Sequence, residues 1–210
     1  MCRLRPVVVT ALILFAVTVS APGLARAEMF LDVYGGGAFP MDSDTTIRGP
    51  GYTIVGESPY KDSFVVGGRV GYYFTAGAPW LGLALDVSYF EANINLPDGA
   101  KNDVVPVSLL LMMRTPLAAS QEFPGGRLQP YVGIGPSFVY SRSEAGSSSD
   151  TSFDVGFDFR LGLTWMLTRT IGLFGEYRFS YVRPDYDLDG ETVEPEFTAN
   201  HIAAGVTFRF

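Results

Sequence analysis

The sequence predicts an all-β protein, an eight-stranded antiparallel up-and-down transmembrane β-barrel. Three observations predict this fold: strict alternation of apolar and polar residues, alternation of long and mostly short connectors, and aromatic residues near the segment ends. The chain of 210 residues has 11 Tyr and 16 Phe but only two Lys. That composition is unusual for a soluble globule, whose surface is normally rich in charge.

The first 27 residues predict a cleaved secretory signal peptide. Arg3 and Arg5 supply positive charge, 7–19 is apolar, and 25–27 reads Ala-Arg-Ala. The apolar run is shorter than the ~20 residues of a membrane-spanning helix. The mature domain is therefore expected to be 28–210, with 12 basic and 22 acidic residues. This negative charge argues against a nucleic-acid partner.

Eight segments of the mature domain alternate with a period of two, as strands with one apolar and one polar face do. In 153–165 one parity is wholly apolar and aromatic, from Phe153 to Trp165, whereas the other carries Asp154, Asp158 and Arg160. The predicted strands are, in order, 29–39, 63–74, 81–91, 103–114, 128–140, 153–165, 171–182 and 197–210. Segments of about 11 residues suit strands that cross a membrane, whereas strands of globular sheets are usually about 5–6 residues.

The connectors between these segments also alternate in length. With residues 152 and 166 counted with the sixth strand, they are 40–62, 75–80, 92–102, 115–127, 141–151, 167–170 and 183–196, and they have 23, 6, 11, 13, 11, 4 and 14 residues. Long outer connectors and short periplasmic turns are typical of outer-membrane barrels. The connector 115–127 is the exception, and its Pro and Gly residues predict a turn-rich spacer.

Aromatic residues gather near both ends of the predicted strands, as interface girdles require. The apolar parity is therefore expected to face lipid. One predicted girdle comprises Tyr73, Phe74, Trp80, Trp165, Phe208 and Phe210, and the other Tyr89, Tyr140, Phe153 and Tyr181. A soluble lipocalin-like carrier is a weaker alternative, because it would place these aromatics and ten charges outside.

Three motifs give the chain a resemblance to a known family: Phe-Leu-Asp-Val-Tyr-Gly-Gly at 30–36, Gly-Glu-Tyr-Arg-Phe-Ser at 175–180, and Gly-Val-Thr-Phe-Arg-Phe at 205–210. The chain resembles the eight-stranded outer-membrane barrels related to the OmpA transmembrane domain. The resemblance implies a Gram-negative outer membrane, contact with its lipid and lipopolysaccharide, and periplasmic termini. The chain end resembles the family's assembly signal, in which Val206, Phe208 and Phe210 would engage the barrel-assembly machinery.

The polar parity predicts paired charges inside the barrel. Residues that face each other across an antiparallel hairpin have residue numbers with a constant sum. This sum is the same for Asp158 with Arg178 and for Arg160 with Glu176, so one register would pair both. In the hairpin of the second and third strands, Arg69 would lie opposite Asp86. Pairing is nearly obligatory because a buried unpaired charge costs several kcal/mol. The predicted ionic belt consists of Arg69, Asp86, Asp158, Arg160, Glu176 and Arg178.

The belt has two interpretations: a filled core, or, as the resemblance to OmpA implies, a gate whose ion pairs exchange. In either case Glu176→Gln is expected to destabilise or open the barrel. Exchanging the charges of Arg160 and Glu176 is expected largely to restore it.

The sequence does not predict catalysis. The sole histidine, His201, lies on the inward parity, and its neighbours in sequence supply no nucleophile. No cofactor is predicted, with one exception. The segment 183–196 fits the calcium-loop pattern through Asp185, Asp187, Asp189 and Glu196. The alternative is an acidic loop mouth without calcium.

The sequence thus predicts a non-enzymatic integral outer-membrane protein that serves envelope structure, surface-loop presentation or adhesion. Its long connectors are candidates for binding a surface ligand. The alternative is a narrow pore, or a barrel that transports a small solute past an interior ionic gate.

Overall fold

The computed structural model describes residues 27–41, 43–49, 52–58, 61–74, 77–92, 101–145, 148–182, 186–188, 191–195 and 197–210. Its strands are β1 (Ala27–Pro40), β2 (Ser43–Gly49), β3 (Tyr52–Ser58), β4 (Ser63–Phe74), β5 (Leu81–Glu91), β6 (Lys101–Arg114), β7 (Leu128–Ala145), β8 (Ser148–Met166), β9 (Ile171–Val182), β10 (Tyr186–Leu188), β11 (Glu191–Pro195) and β12 (Phe197–Arg209). The eight long strands form a closed antiparallel barrel in the order β1-β12-β9-β8-β7-β6-β5-β4. The predicted fold class is confirmed.

The apolar parity faces outward along the barrel wall. Phe64, Phe153 and Ile202 are 67%, 68% and 63% exposed, whereas their neighbours on the other parity are buried or half-buried. Trp80 and Trp165 are about half exposed near the end that holds the chain termini. Tyr73 was wrongly assigned to a girdle, because it has the inward parity of Arg69 and is only 2% exposed.

The first and last long connectors contain strands that alternation did not predict. β2 and β3 lie in the first, β10 and β11 in the last, and they form a separate four-stranded sheet in the order β10-β11-β2-β3. The Ser-rich connector 141–151 also contains strand residues. β7 and β8 continue through most of it, with Ser141 opposite Ser152 and Ala145 opposite Ser148.

The register of β8 with β9 differs from the prediction by two residues. Asp158 lies opposite Ser180, and Arg160 lies opposite Arg178. The turn sets this register, because the Thr168 hydroxyl accepts hydrogen bonds from the amides of Thr170 and Ile171 at 3.2 and 2.9 Å. A shift of two residues keeps every side chain on its face, so alternation alone could not detect it. The predicted alignment of Arg69 with Asp86 is confirmed.

The exceptional connector 115–127 is a folded turn at the termini end of the barrel. Leu117 and Leu128 exchange backbone hydrogen bonds of 2.8 and 3.2 Å, and Gly126 has a φ of 86° that favours glycine. Phe123 is only 7% exposed, and the guanidinium of Arg127 lies 5.4 Å from its ring centroid. The Gln129 side chain donates to the Gly126 carbonyl at 2.9 Å, which ties the turn to the inward face of β7.

Candidate functional site inside the barrel

The structure brings the six predicted belt residues together in the barrel interior, where none is more than 4% exposed. Asp86 on β5 is central to the group. Both of its oxygens accept hydrogen bonds from Arg160, at 2.7 and 2.9 Å, and from the Tyr34 hydroxyl, at 2.9 and 3.0 Å. This bidentate, charge-assisted geometry is the strongest form of carboxylate recognition by arginine.

The guanidinium of Arg160 also bonds Asp158, two residues earlier on its own strand, at 2.7 Å. Two serines complete the hydrogen bonds of the Asp158 carboxylate. Ser108 donates to it at 2.8 Å and Ser180 at 3.2 Å. The acid therefore has partners from β6, β8 and β9.

Arg69 joins a second pair of acids across the barrel. It lies 2.7 Å from Asp32 and 2.6 Å from Glu176. The Tyr131 hydroxyl donates to the same Glu176 oxygen at 2.8 Å, and the Arg69 guanidinium lies 5.3 Å from the Tyr131 ring centroid. Arg69 therefore connects β1 and β4 with β9.

The third arginine, Arg178, is held mostly by neutral groups. It donates to Ser88 at 2.9 Å and to the Tyr34 hydroxyl. Its nearest carboxylate oxygens are those of Asp86 at 3.5 Å and Glu176 at 3.8 Å. The long ion-pair distances make Arg178 the least tightly bound cation of the belt.

These contacts correct the expected pairing of Arg160 with Glu176. The closest approach of the two groups is 3.6 Å, whereas Arg160 bonds Asp86 and Asp158 at 2.7 Å. Exchanging their charges would place an acid at position 160 against two acids, and a base at position 176 against Arg69. The exchange is therefore not expected to restore the barrel.

A second cluster of charges closes the termini end of the interior. Arg114 forms a bidentate pair with Glu28, at 2.8 and 2.6 Å, and its guanidinium lies 3.8 Å from the Tyr73 ring centroid. Arg209 lies 4.8 Å from the Phe30 ring centroid, and Phe30 stacks on Tyr73 at 5.2 Å. Guanidinium and aromatic groups together fill this end of the barrel.

The two clusters have opposite net charges. The belt with Asp32 holds four carboxylates and three guanidiniums. The second cluster, at the termini end, holds two guanidiniums and the Glu28 carboxylate. The ten groups together are neutral. Sequence reasoning omitted Glu28, although its inward parity relative to Asp32 could have identified it.

The half of the interior toward the long connectors is mostly apolar. Small side chains fill it, among them Ala38, Val65 and Ala199, each 0% exposed. His201 lies in the same region and forms a T-shaped contact with Phe90, at 4.9 Å between ring centroids. Neither of its ring nitrogens has a hydrogen-bond partner among the described residues. The belt thus lies between this apolar layer and the second cluster at the termini end.

The calcium motif contains β10 and β11, which form an antiparallel hairpin with Asp187 opposite Thr192. Asp185, Asp189 and Glu196 lie outside the described residues. Within the part of the chain that the structure describes, no group of three or more His, Cys, Asp or Glu is placed to hold a metal ion. Calcium binding by 183–196 stays a prediction.

The three residues of the predicted assembly signal lie on the outward parity of β12 or just after it. Phe210 is 71% exposed, and Val206 and Phe208 are partly exposed. Phe208 lies opposite Leu31 of β1 and Ile171 of β9. These positions fit contact with lipid, and the role in assembly stays a prediction.

An apolar outer wall, interfacial aromatics and an ion-paired interior define the class: an integral membrane β-barrel. No helix among the described residues is long and apolar enough to cross a membrane. The family model of the outer membrane protein beta-barrel domain matches residues 8–210, so the chain belongs to that family. It is therefore an outer-membrane protein of a Gram-negative bacterium.

Solved outer-membrane barrels share the fold at low sequence identity. The crystal structure of OprG from Pseudomonas aeruginosa matches with a TM-score of 0.63 and 15% identity, over 89% of this chain and 96% of that chain. Neisserial surface protein A (NspA) matches with 0.56 and 14%, over 87% and 97%. AlkL, solved by solid-state NMR in DMPC bilayers, matches with 0.55 and 16%, over 91% and 94%. No curated protein sequence matches the chain.

Proposed function

We propose that the protein is a non-enzymatic outer-membrane anchor, sealed to ions, that contributes to envelope integrity and presents its long connectors at the cell surface. The filled interior is the observation that supports this proposal. Arg69, Arg160 and Arg178 are at most 2% exposed and ion-paired across the barrel. An eight-stranded barrel is only wide enough for its side chains to fill it.

The surroundings of His201 support the non-enzymatic part of the proposal. A general base must lie within hydrogen-bond reach of its nucleophile. His201 is 1% exposed, packs on Phe90, and has no hydrogen-bonded hydroxyl or carboxylate among the described residues.

The orientation of the barrel is part of the proposal. The termini and the short connectors lie at one end, where 115–127 forms its compact turn. We place this end in the periplasm and the opposite end at the cell surface, among lipopolysaccharide. β12 would then present its outward residues to the barrel-assembly machinery during folding.

Two measurements test this proposal. A membrane-impermeant maleimide should label Thr46→Cys on intact cells but label Ala119→Cys only after permeabilisation. Proteoliposomes should swell in an isosmotic sugar solution no faster than protein-free liposomes. The reverse labelling pattern would overturn the orientation, and rapid swelling would overturn the sealed barrel.

A narrow pore with the belt as its gate is the second candidate function. The position of Glu176 favours it, because this carboxylate lies 2.6, 3.6 and 3.8 Å from Arg69, Arg160 and Arg178. Among the residues that the structure describes, its Oε1 atom has no hydrogen-bond partner. A carboxylate with three cationic neighbours can exchange partners, and such an exchange would move Arg69.

A further inference from the structure

Two arginines are exposed at the termini end of the barrel, Arg127 just before β7 and Arg169 in the turn between β8 and β9. Among the residues that the structure describes, neither guanidinium takes part in an ion pair. The interior of the same end differs, since Arg114 lies 2.6 Å from Glu28. The exposed arginines thus keep two positive charges that no described carboxylate compensates.

The backbone holds these two arginines on neighbouring parts of the rim. The Arg127 carbonyl accepts a hydrogen bond from the Met166 amide at 2.8 Å, which joins the start of β7 to the end of β8. Arg169 follows in the tight turn 167–170, whose backbone amides bond the Thr168 hydroxyl. Because only two residues separate Met166 from Arg169, both arginines lie at the same sector of the barrel wall.

The last apolar row of the barrel wall borders these arginines. Leu117 lies opposite Leu128, Leu128 opposite Trp165, and Trp165 opposite Leu173. Leu117, Trp165 and Leu173 are 43%, 50% and 44% exposed, so the row faces outward. Tryptophan at the end of a membrane-facing strand marks the level of the lipid headgroups. Arg127 directly precedes Leu128, so we expect its charge to lie at the level of the headgroup phosphates.

The charge of this rim selects an anionic partner. Among the described residues of the three connectors at this end, the bases are Arg127 and Arg169, and the only acid is Glu122. Each basic residue beside an anionic lipid surface strengthens the attraction about fivefold. An amphipathic ligand is favoured over a free anion, because its acyl chains cover the apolar row while its phosphate meets the arginines.

We propose that Arg127 and Arg169, together with the apolar row beside Trp165, bind the headgroup phosphate of an anionic phospholipid. The inference rests on the proposed orientation, which places this end of the barrel in the periplasmic, phospholipid leaflet. It adds a specific lipid partner to the proposed anchor.

The test uses the two tryptophans of the chain as local probes. In a Trp80→Phe variant Trp165 reports on the site, and in a Trp165→Phe variant Trp80 reports on the wall at β5, three strands away. The complete barrel is reconstituted in vesicles of equal amounts of phosphatidylcholine and phosphatidylglycerol, one of which carries bromine atoms that quench tryptophan fluorescence. Quenching of Trp165 should show a preference for phosphatidylglycerol of about fivefold or more, and that of Trp80 less than about twofold. Equal quenching of Trp165 by the two brominated lipids, or an equal preference at both tryptophans, would overturn the proposal.

Matched variants separate the two arginines from other exposed charges. Arg127→Gln with Arg169→Gln should lower the preference at Trp165 to less than about twofold, because both positive charges are lost. Both arginines are exposed, so the variant should fold, and its heat-modifiable gel migration checks this. Lys61→Gln removes an exposed cation near the start of β4, at the opposite end, and should leave the preference unchanged. A preference that survives the loss of both arginines would overturn the proposal.

Salt and inorganic phosphate distinguish a lipid headgroup from a free anion. The preference should fall in about 0.5 M sodium chloride, because exposed charges are screened. Sodium phosphate of the same ionic strength should lower it no further, and a markedly larger effect of phosphate would overturn the choice of a lipid. Both leaflets of these vesicles have the same composition, so the result does not depend on the orientation. Failure here would leave the proposed orientation and the sealed barrel untouched.

Discussion

Asp86→Asn is expected to lower the free energy of unfolding by about 3–5 kcal/mol, the usual cost of removing one partner from a buried ion pair. Asp86 is 0% exposed and accepts hydrogen bonds from Arg160 and Tyr34, with Arg178 at 3.5 Å. An amide cannot accept the same set of bonds and leaves Arg160 with less compensating charge. Urea unfolding in lipid vesicles, followed by the fluorescence of Trp80 and Trp165, measures the loss.

Asp154→Asn is the matched control for this change. Asp154 has the inward parity of β8 but lies near its open end, half-buried and bonded to Ser152 at 2.6 Å. Its loss should cost less than about 1 kcal/mol, as for other partly solvated charges. If Asp86→Asn unfolds at the same urea concentration as Asp154→Asn, the belt does not hold the barrel together.

Gly36→Ala is expected to disturb the seam where the first and last strands close the barrel. A Cβ atom at position 36 would lie 2.0 Å from the Ile202 carbonyl oxygen and 2.6 Å from the Ala203 Cα, both backbone atoms of β12. β1 and β12 must then separate locally, at a cost of about 1–3 kcal/mol or more. Folding yield, read from heat-modifiable gel migration, should fall sharply.

Gly175→Ala provides the comparison. No atom lies within 4 Å of a Cβ built at position 175, so a methyl group fits there. The change should be neutral or slightly stabilising, because Ala restricts the unfolded chain. If both variants fold with the same yield, close approach at the seam does not require Gly36.

The barrel could be predicted because the alternation of apolar and polar residues shows which side chains face outward and which face inward. Each residue on the apolar parity of 153–165 faces outward, and Asp158 and Arg160 face inward, since a strand turns successive side chains to opposite sides. Eight long segments with this pattern are compatible with few folds other than a membrane barrel. The six belt residues could be placed in the interior for the same reason.

The partners inside the barrel could not be predicted from parity. Arg160 lies opposite Arg178 in register but bonds Asp86, which comes from β5 across the interior. Strand tilt and side-chain length decide such contacts across the barrel. The register of a single hairpin gives no information on either. Tyr34 and Tyr131 share the inward parity but carry no charge, so a pattern of paired charges does not reveal that their hydroxyls bond Asp86 and Glu176.

The strands of the separate four-stranded sheet, β2, β3, β10 and β11, were not predicted for a different reason. Gly and Pro punctuate 40–62 and 183–196, and the alternating runs between them are only 3 to 7 residues long. The Asp-Gly pair at 189–190 fits a two-residue hairpin turn as well as it fits a calcium loop. Short runs with such turns do not reveal which other strand they will join.

Single-channel conductance in planar bilayers tests most directly whether the ionic belt seals the barrel. The refolded domain 28–210 should give no current beyond rare small steps, whereas Glu176→Gln, which releases Arg69 from a partner at 2.6 Å, should open more often. Frequent, stable and ion-selective steps from the unaltered protein would contradict the sealed barrel and favour the gated pore. A variant as silent as the unaltered protein would show that Glu176 does not hold the belt closed.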